Sequence, residues 1–124
     1  MSTRGVRGAT TAASNTAESI LSATSDLLQE MADSNGIDAA DIGSIIFTVT
    51  ADVNAAFPAR AARLMGWTHV PLLDAQEIPV PDSLERCIRV LILWNTDRQQ
   101  QEIVHVYQGR ARSLRPDLTR EEQR

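Results

Sequence analysis

The chain is 124 residues long, is 43% hydrophobic and carries a formal net charge of −4. This length and apolar content predict one domain with a modest core, and a mildly negative charge without a basic patch excludes a nucleic-acid surface. No apolar run reaches signal-peptide or membrane-spanning length, so we expect a cytoplasmic protein that does not bind membranes. All 12 permanently basic residues are arginine, a side chain suited to bidentate capture of carboxylates.

The first elements predicted along the chain are a strand and a long helix. Residues 3–10 read as a strand that contains two glycines, which are typical of bulges or of close backbone approach. Asn15 and Glu18 resemble a helix-capping pair, and apolar residues then recur at helical spacing until Gly36. A short turn over 38–41 is predicted to follow this amphipathic helix.

The middle of the chain predicts a buried strand and a short helix. Residues 44–49 are too continuously apolar for a half-exposed strand, which places them in the middle of a sheet. Residues 57–65 begin with a proline near a helix N-terminus and are followed by Gly66, a pattern that predicts a short helix. Arg60 and Arg63 lie about one turn apart and share a face of it.

Shorter segments complete the predicted mixed sheet. Pro71 makes residues 70–73 an edge strand, because proline cannot donate to a central ladder. Residues 117–124 are polar and charged, which predicts a flexible tail. Three further segments are a second buried strand over 86–94, a helical turn over 99–107 and a last short strand over 111–114.

Arginine recurs inside apolar strand-like segments. Arg89 stands in the run CIRVLILW, Arg7 in RGVRGATT and Arg115 at the end of ARSLR. A guanidinium cannot lose its charge to escape burial, so each arginine predicted to face a core must meet a fixed anion or line a site that receives one. An internal ion pair with Glu77 or Asp74 is the alternative for Arg7 and Arg89.

Other chemistries find little support in the sequence. His69, His105 and Cys87 lie outside recognisable nucleophile motifs, standard metal-ligand spacings are absent, and no glycine-rich loop precedes a helix. Cys87, the single cysteine, reads as a small buried hydrophobe. The remaining set of arginines together with Glu77 fits a small polyanionic ligand and predicts neither metal nor cofactor.

The candidate residues also have simpler interpretations. Arg60 and Arg63 on a short helix are by default solvated surface side chains. Tyr107 is typical of a core aromatic residue with a bonded hydroxyl, and Phe57 of a helix staple or core residue. These alternatives stay open on the residue pattern alone.

Six segments in order resemble the trimeric chorismate mutases of bacteria, the α/β class rather than the all-helical class. They are RGVRGATT (4–11), FPARAAR (57–63), QE (76–77), CIRV (87–90), HVY (105–107) and LRPDL (114–118), which together span nearly the whole chain. The resemblance implies a single α+β domain over 1–124, a mixed β-sheet packed by helices, and a pseudo-α/β barrel homotrimer with active sites at the subunit interfaces. It also implies the Claisen rearrangement of chorismate to prephenate, which needs no cofactor.

The same resemblance implies roles for individual residues. Arg89 would be the cation at the ether oxygen, Glu77 would accept a hydrogen bond from the ring hydroxyl, and Arg7 would hold a substrate carboxylate; these three form the catalytic set. The implied substrate-binding positions also include Tyr107 for a carboxylate, Phe57 as an apolar wall, Arg60, Arg63 and Arg115 around the dianion, and Leu73, Asp74, Ala75, Gln76 and Leu114.

Two positions depart from this family pattern. Asp74 stands where relatives tend to have a small neutral side chain; its carboxylate either repels a dianionic substrate or pairs with an arginine such as Arg60 or Arg63. Asp82 occupies a turn where glycine is expected.

Two other functions are alternatives to this one. They are an imine deaminase of the Rid family, which uses an interface arginine on a similar trimer, and a non-catalytic trimer that binds a small carboxylate.

Overall fold

The structure is a computed structural model, and it describes residues 1–114. Arg115 and the predicted tail over 117–124 lie outside the described residues. The elements are β1 (Ser2–Thr11), α1 (Ala17–Asn35), β2 (Ile42–Val49), α2 (Ala59–Leu64), β3 (Leu72–Gln76), β4 (Cys87–Thr96) and β5 (Val106–Tyr107), with 3₁₀ turns at Ala39–Asp41, Gln100–Glu102 and Gly109–Leu114. No described helix is long and apolar enough to cross a membrane.

The five strands form one mixed sheet in the order β3-β2-β4-β1-β5. β4 pairs antiparallel with β1 and β2, whereas the edge strands β3 and β5 run parallel to β2 and β1. The continuous apolar segments predicted for the centre of the sheet are β2 and β4, which are central strands. β3, which begins just after Pro71, is an edge strand, as predicted for this segment. The predicted α+β architecture is confirmed.

Both α-helices pack on one face of the sheet and form the main core. Leu27, Leu28 and Met31 of α1 meet the strand side chains Phe47 and Ile92, all without solvent exposure or nearly so. Burial of these large apolar side chains is the main source of stability in a domain of this size. The helix predicted from residue spacing is therefore confirmed.

The start of α1 corrects the predicted cap. Thr16 is the N-cap residue, and its hydroxyl accepts a hydrogen bond from the Ser19 amide at 3.1 Å. The Asn15 side chain instead accepts from the backbone amides of Asn54 and Ala55 at 3.0 and 3.1 Å. Asn15 is thus a long-range link to the loop after β2, a role that local capping rules do not capture.

The C-terminal part of the described chain differs from the predicted elements. The helical turn predicted over 99–107 holds a 3₁₀ turn and the strand β5, and the strand predicted over 111–114 is a 3₁₀ turn. Parallel pairing of Val106 with Gly8 explains β5. Ala111 alone is buried in this last turn, so the segment lacks the alternating burial of a strand.

Asp82, in the turn between β3 and β4, has a φ of 65° and occupies the left-handed region that normally favours glycine.

The second face of the sheet carries the strand arginines. Alternation along β4 buries Ile88, Val90 and Ile92 under the helices and turns Arg89 and Leu91 the other way. We call this second face the open face and define it by Arg7, Ile46, Thr48, Arg89 and Leu91. The prediction that Arg7 and Arg89 face a core is wrong within one chain, because both lie opposite the helices and are exposed.

Candidate active site

Neighbouring central strands bring Arg7 and Arg89 to the same part of the open face. Arg89 is in register with Ala9 on one side and Thr48 on the other, and Arg7 is in register with Leu91. Together with Tyr107, they line a cavity of about 260 Å³. Two cations that share one cavity favour a ligand with more than one anionic group.

Glu77 fixes one edge of the Arg89 guanidinium. Its amide donates to the Val49 carbonyl at 2.8 Å, which continues the β2–β3 pairing one residue beyond the end of β3. Its Oε1 atom then lies 2.7 Å from Arg89 Nε. The Arg89 side chain is 49% exposed, so solvent screens this ion pair and its main effect is on orientation rather than stability. The predicted internal pairing of Arg89 with Glu77 is therefore present, and the two residues also line an adjacent cavity of about 220 Å³.

Strand β5 and the residue just before it add two side chains beside Arg7. Tyr107 is 6% exposed and packs with Ala9 and Ala111, while its ring also borders the cavity. His105 Nδ1 accepts a hydrogen bond from the Arg7 backbone amide at 2.9 Å, which requires that this imidazole nitrogen carries no proton. Sequence motifs gave no sign of this contact, because it joins residues far apart in the chain.

A second cavity of about 520 Å³ gathers another group of candidate residues near the start of α2. Phe57 is 70% exposed and is neither a core residue nor a staple. Its neighbours at the cavity wall are Arg60, Asp74, Ala75 and Gln76. α2 rests on its alanines, Ala59, Ala61 and Ala62, and this leaves its arginines at the surface as expected by default.

Asp74 is the half-buried carboxylate of this second group. It is in register with Phe47, so it faces the helices, and its Oδ1 accepts from the Ala59 amide at 3.1 Å. Burial raises the pKa of Asp74, and this effect is opposed by the Ala59 hydrogen bond and by attraction to Arg63. The partner predicted for Asp74 was an arginine; its hydrogen bond in the structure goes to a helix amide instead.

The candidate residues thus fall into two groups within one chain. Arg7, Arg89 and Tyr107 line the open-face cavity, and Glu77 joins this group through its ion pair with Arg89. The second cavity holds the group around Phe57 and Asp74. Leu73 lies on β3 with its side chain 60% exposed, in register with Ile46. Leu114 packs beside the cluster of Ala9, Tyr107 and Ala111.

A network at the start of β4 escaped the sequence analysis. The Thr50 hydroxyl accepts from the Cys87 amide at 3.0 Å and donates to Asp52, whose carboxylate accepts the Arg86 amide at 2.9 Å. Burial alone would raise the pKa of Asp52, but the hydrogen bonds from Thr50 and Arg86 hold it below its usual value. The network anchors the chain just before Arg89, where Arg86 adopts a positive φ of 47°.

Cys87 and Thr48 lie close to Arg89, on β4 and on the neighbouring strand β2. Cys87 is buried, as predicted, and burial raises the pKa of its thiol, although the neighbouring Arg89 guanidinium opposes this shift. The Thr48 hydroxyl, on β2, is buried without a hydrogen-bond partner among the described residues. Among those residues, no cluster of side chains has the composition of a metal site.

Comparison with known proteins gives a consistent result. Residues 3–118 match the protein family described as Chorismate mutase type I. Chorismate mutase AroH of Thermus thermophilus is 53% identical over 116 residues, 93% of this chain and 95% of that protein. Chorismate mutase AroH of Bacillus subtilis (strain 168) is 42% identical over 120 residues, 96% of this chain and 94% of that protein.

A solved structure is also similar over most of the chain. It is a chorismate mutase from Clostridium thermocellum, with a TM-score of 0.87 and 54% sequence identity. The match covers 88% of this chain and 97% of that one.

Proposed function

This chain belongs to the chorismate mutase type I family, and we propose that it binds and rearranges its substrate at the open-face cavity that Arg7, Arg89 and Tyr107 border. The protein is an isomerase of aromatic amino-acid biosynthesis that converts chorismate to prephenate. The observation that carries the site assignment is the Arg89–Glu77 pair beside Arg7 on one sheet face.

Arg89 is the proposed catalytic cation. In this Claisen rearrangement the ether bond breaks ahead of formation of the new carbon bond, so negative character develops on the ether oxygen. A cation held at that oxygen stabilises the transition state more than the ground state, which is the condition for a faster chemical step. The reaction occurs within one molecule and requires no proton transfer, metal or cofactor.

Glu77 is proposed to act on both the enzyme and the substrate. Its carboxylate holds Arg89 through Nε and leaves the terminal nitrogens of the guanidinium to address the ether oxygen. The same carboxylate is proposed to accept a hydrogen bond from the ring hydroxyl of chorismate. Prior orientation of the cation removes a reorganisation step at the moment of reaction.

The remaining residues are proposed to bind and fold the substrate. Arg7 and Tyr107 hold carboxylates in the cavity, where a guanidinium and a phenol supply directional donors. Restraining the flexible side arm in a folded conformer gains rate, because a unimolecular rearrangement depends on orientation. Arg60, Arg63 and Arg115 are assigned to attraction of the dianion, and Phe57 to an apolar wall.

A homotrimer with interfacial sites is part of this proposal. The two groups of candidate residues lie in separate cavities of one chain, and a neighbouring subunit that brings its Phe57 group to the Arg89 group would complete the site. The exposed side chains of Leu73 and Phe57 support a contact surface at this position, since large exposed apolar side chains mark interfaces. A cytoplasmic location also belongs to the proposal and rests on the sequence alone.

The test of the proposed function is conversion of chorismate by the purified chain without added metal or cofactor. We expect the absorbance of chorismate to fall and NMR to identify prephenate as the only product. Binding of chorismate without turnover would indicate a carboxylate-binding trimer, and release of ammonia from an imine substrate would indicate a deaminase. Either result would overturn the assignment.

A further inference from the structure

The start of α2 has no side-chain cap of its own. Pro58 is the N-cap residue and makes no side-chain cap hydrogen bond, although the first amides of any helix need acceptors from outside it. The acceptor for the Ala59 amide is Asp74 Oδ1, 3.1 Å away on the edge strand β3. Asp74, 15 positions further along the chain, thus supplies the hydrogen-bond acceptor that an N-cap side chain would normally supply.

The surroundings of Asp74 fit this structural role. Its register with Phe47 directs the side chain toward the helices, whereas its neighbours Leu73 and Ala75 alternate to the other side of β3. Arg63, on the same helix, attracts the carboxylate without making an ion pair with it among the described residues. A negative charge at a helix N-terminus is favourable.

Direct binding of substrate fits these contacts less well. Asp74 borders the cavity that holds Phe57 and Arg60, but a carboxylate aimed at a dianionic ligand opposes binding by like-charge repulsion. Its Oδ1 is already committed to Ala59. The contacts therefore connect Asp74 to the substrate through α2.

We propose that Asp74 is a positioning residue that holds the start of α2 against β3 and thereby sets the places of Phe57, Arg60 and Arg63 at the rim of the site. The inference rests on the proposed function for its kinetic consequences, but the hydrogen bond to Ala59 can be measured without any substrate. The acceptor oxygen, rather than the negative charge, is the feature that this role requires.

Two substitutions separate the oxygen from the charge. Asp74→Asn keeps an acceptor at the same place, and Asp74→Ala removes it. We expect Asp74→Ala to raise KM by about three- to tenfold, the effect of losing one helix cap, with little change in kcat because Arg89 and Glu77 are untouched. Asp74→Asn is expected to restore most of this loss. Asp33→Ala is a matched control, since that exposed carboxylate accepts a hydrogen bond from Gln29 on its own helix and from no other residue in the described part of the chain.

Amide hydrogen exchange at Ala59 provides the readout that does not depend on activity. We expect faster exchange of this amide in Asp74→Ala than in the parent protein, and near-parent exchange in Asp74→Asn. In an Arg63→Ala background, Asp74→Ala should raise KM less than it does alone, because both changes act on the same helix.

Three results would overturn the inference. Equal rises of KM in the Asn and Ala variants would assign the effect to charge rather than to the cap. An unchanged exchange rate of the Ala59 amide in Asp74→Ala would show that Asp74 does not cap α2. Unchanged KM in Asp74→Ala, with normal turnover by the parent protein, would reject the positioning role while leaving the proposed function intact. Absence of turnover in the parent protein would reject the proposed function, and the exchange data would still decide the cap.

Discussion

Arg89 Nε and Glu77 Oε1 lie 2.7 Å apart and join the start of β4 to the residue that follows β3. β2 separates these two strands in the sheet, so the pair spans the open face near Thr48. The contact turns a long and flexible side chain into a cation of fixed direction. Turnover should therefore depend on Glu77.

Replacement of Glu77 by alanine tests that dependence. We expect kcat to fall about a hundredfold, the size of loss that follows misplacement of a catalytic group by about 1 Å. Steady-state kinetics measure it. Glu85→Ala is the matched control, because the exposed Glu85 makes a surface ion pair with Arg86 at 3.6 Å and no other ion pair within residues 1–114. Parent-like kcat in Glu77→Ala would show that Arg89 needs no such partner.

Mixed trimers test whether each site draws on two subunits. Arg89→Ala damages one group of site residues, and the double variant Arg60→Ala/Arg63→Ala damages the other. Each alone should be nearly inactive. After subunit exchange at equal amounts, random assortment leaves about a quarter of the sites with both groups intact, so about a quarter of the parent activity should return. Activity no higher than the mean of the two variants would contradict an interfacial site.

Features that depend on neighbouring residues could be predicted from the sequence, whereas contacts between residues distant in the sequence could not. Helix α1, the edge position of β3 and the pairing of Arg89 with Glu77 depend on residue spacing and local chemistry, and all three could be predicted. The Asn15 link to the Asn54 loop and the His105–Arg7 contact could not, because they join residues that only the folded chain brings together.

The direction of the strand arginines shows a second limit. A continuous apolar run such as that of β4 predicts a strand that is buried on both faces. In the described residues, the helices bury one face of β4, and the face that carries Arg89 is left exposed or partly buried. Leu91 and Ile46 stand on the open face beside Arg89, where apolar residues fit a contact with another subunit. In the proposed trimer, such a run would serve contacts between subunits as well as the core of one chain, and the pattern alone does not separate the two.

The Asp52 network predicts a specific dependence of stability on pH. Because hydrogen bonds from Thr50 and Arg86 lower the pKa of Asp52 in the folded state, its contribution is present above the pKa of the unfolded chain and is lost as pH falls through the folded-state pKa. Asp52→Asn should therefore lower the urea midpoint at neutral pH, and the difference from the parent protein should shrink in acid.

Urea unfolding of both proteins from neutral to acidic pH provides this measurement. Asp33→Asn, on the exposed side of α1, is the control for loss of one surface carboxylate. A difference between Asp52→Asn and the parent that stays constant across the range, or widens in acid, would be inconsistent with the lowered pKa.

In the proposed mechanism, the charge of Arg89, and not only its hydrogen bonds, accelerates the rearrangement. Replacement of Arg89 by citrulline through semisynthesis removes the charge and keeps a planar side chain with N–H donors. We predict that kcat falls by about a hundredfold or more, the cost of losing one preorganised electrostatic contact to the transition state, with a much smaller change in KM. Citrulline at Arg98, which stacks on Trp94, is the control for the substitution itself. A kcat close to that of the parent protein in the Arg89 variant would contradict the account.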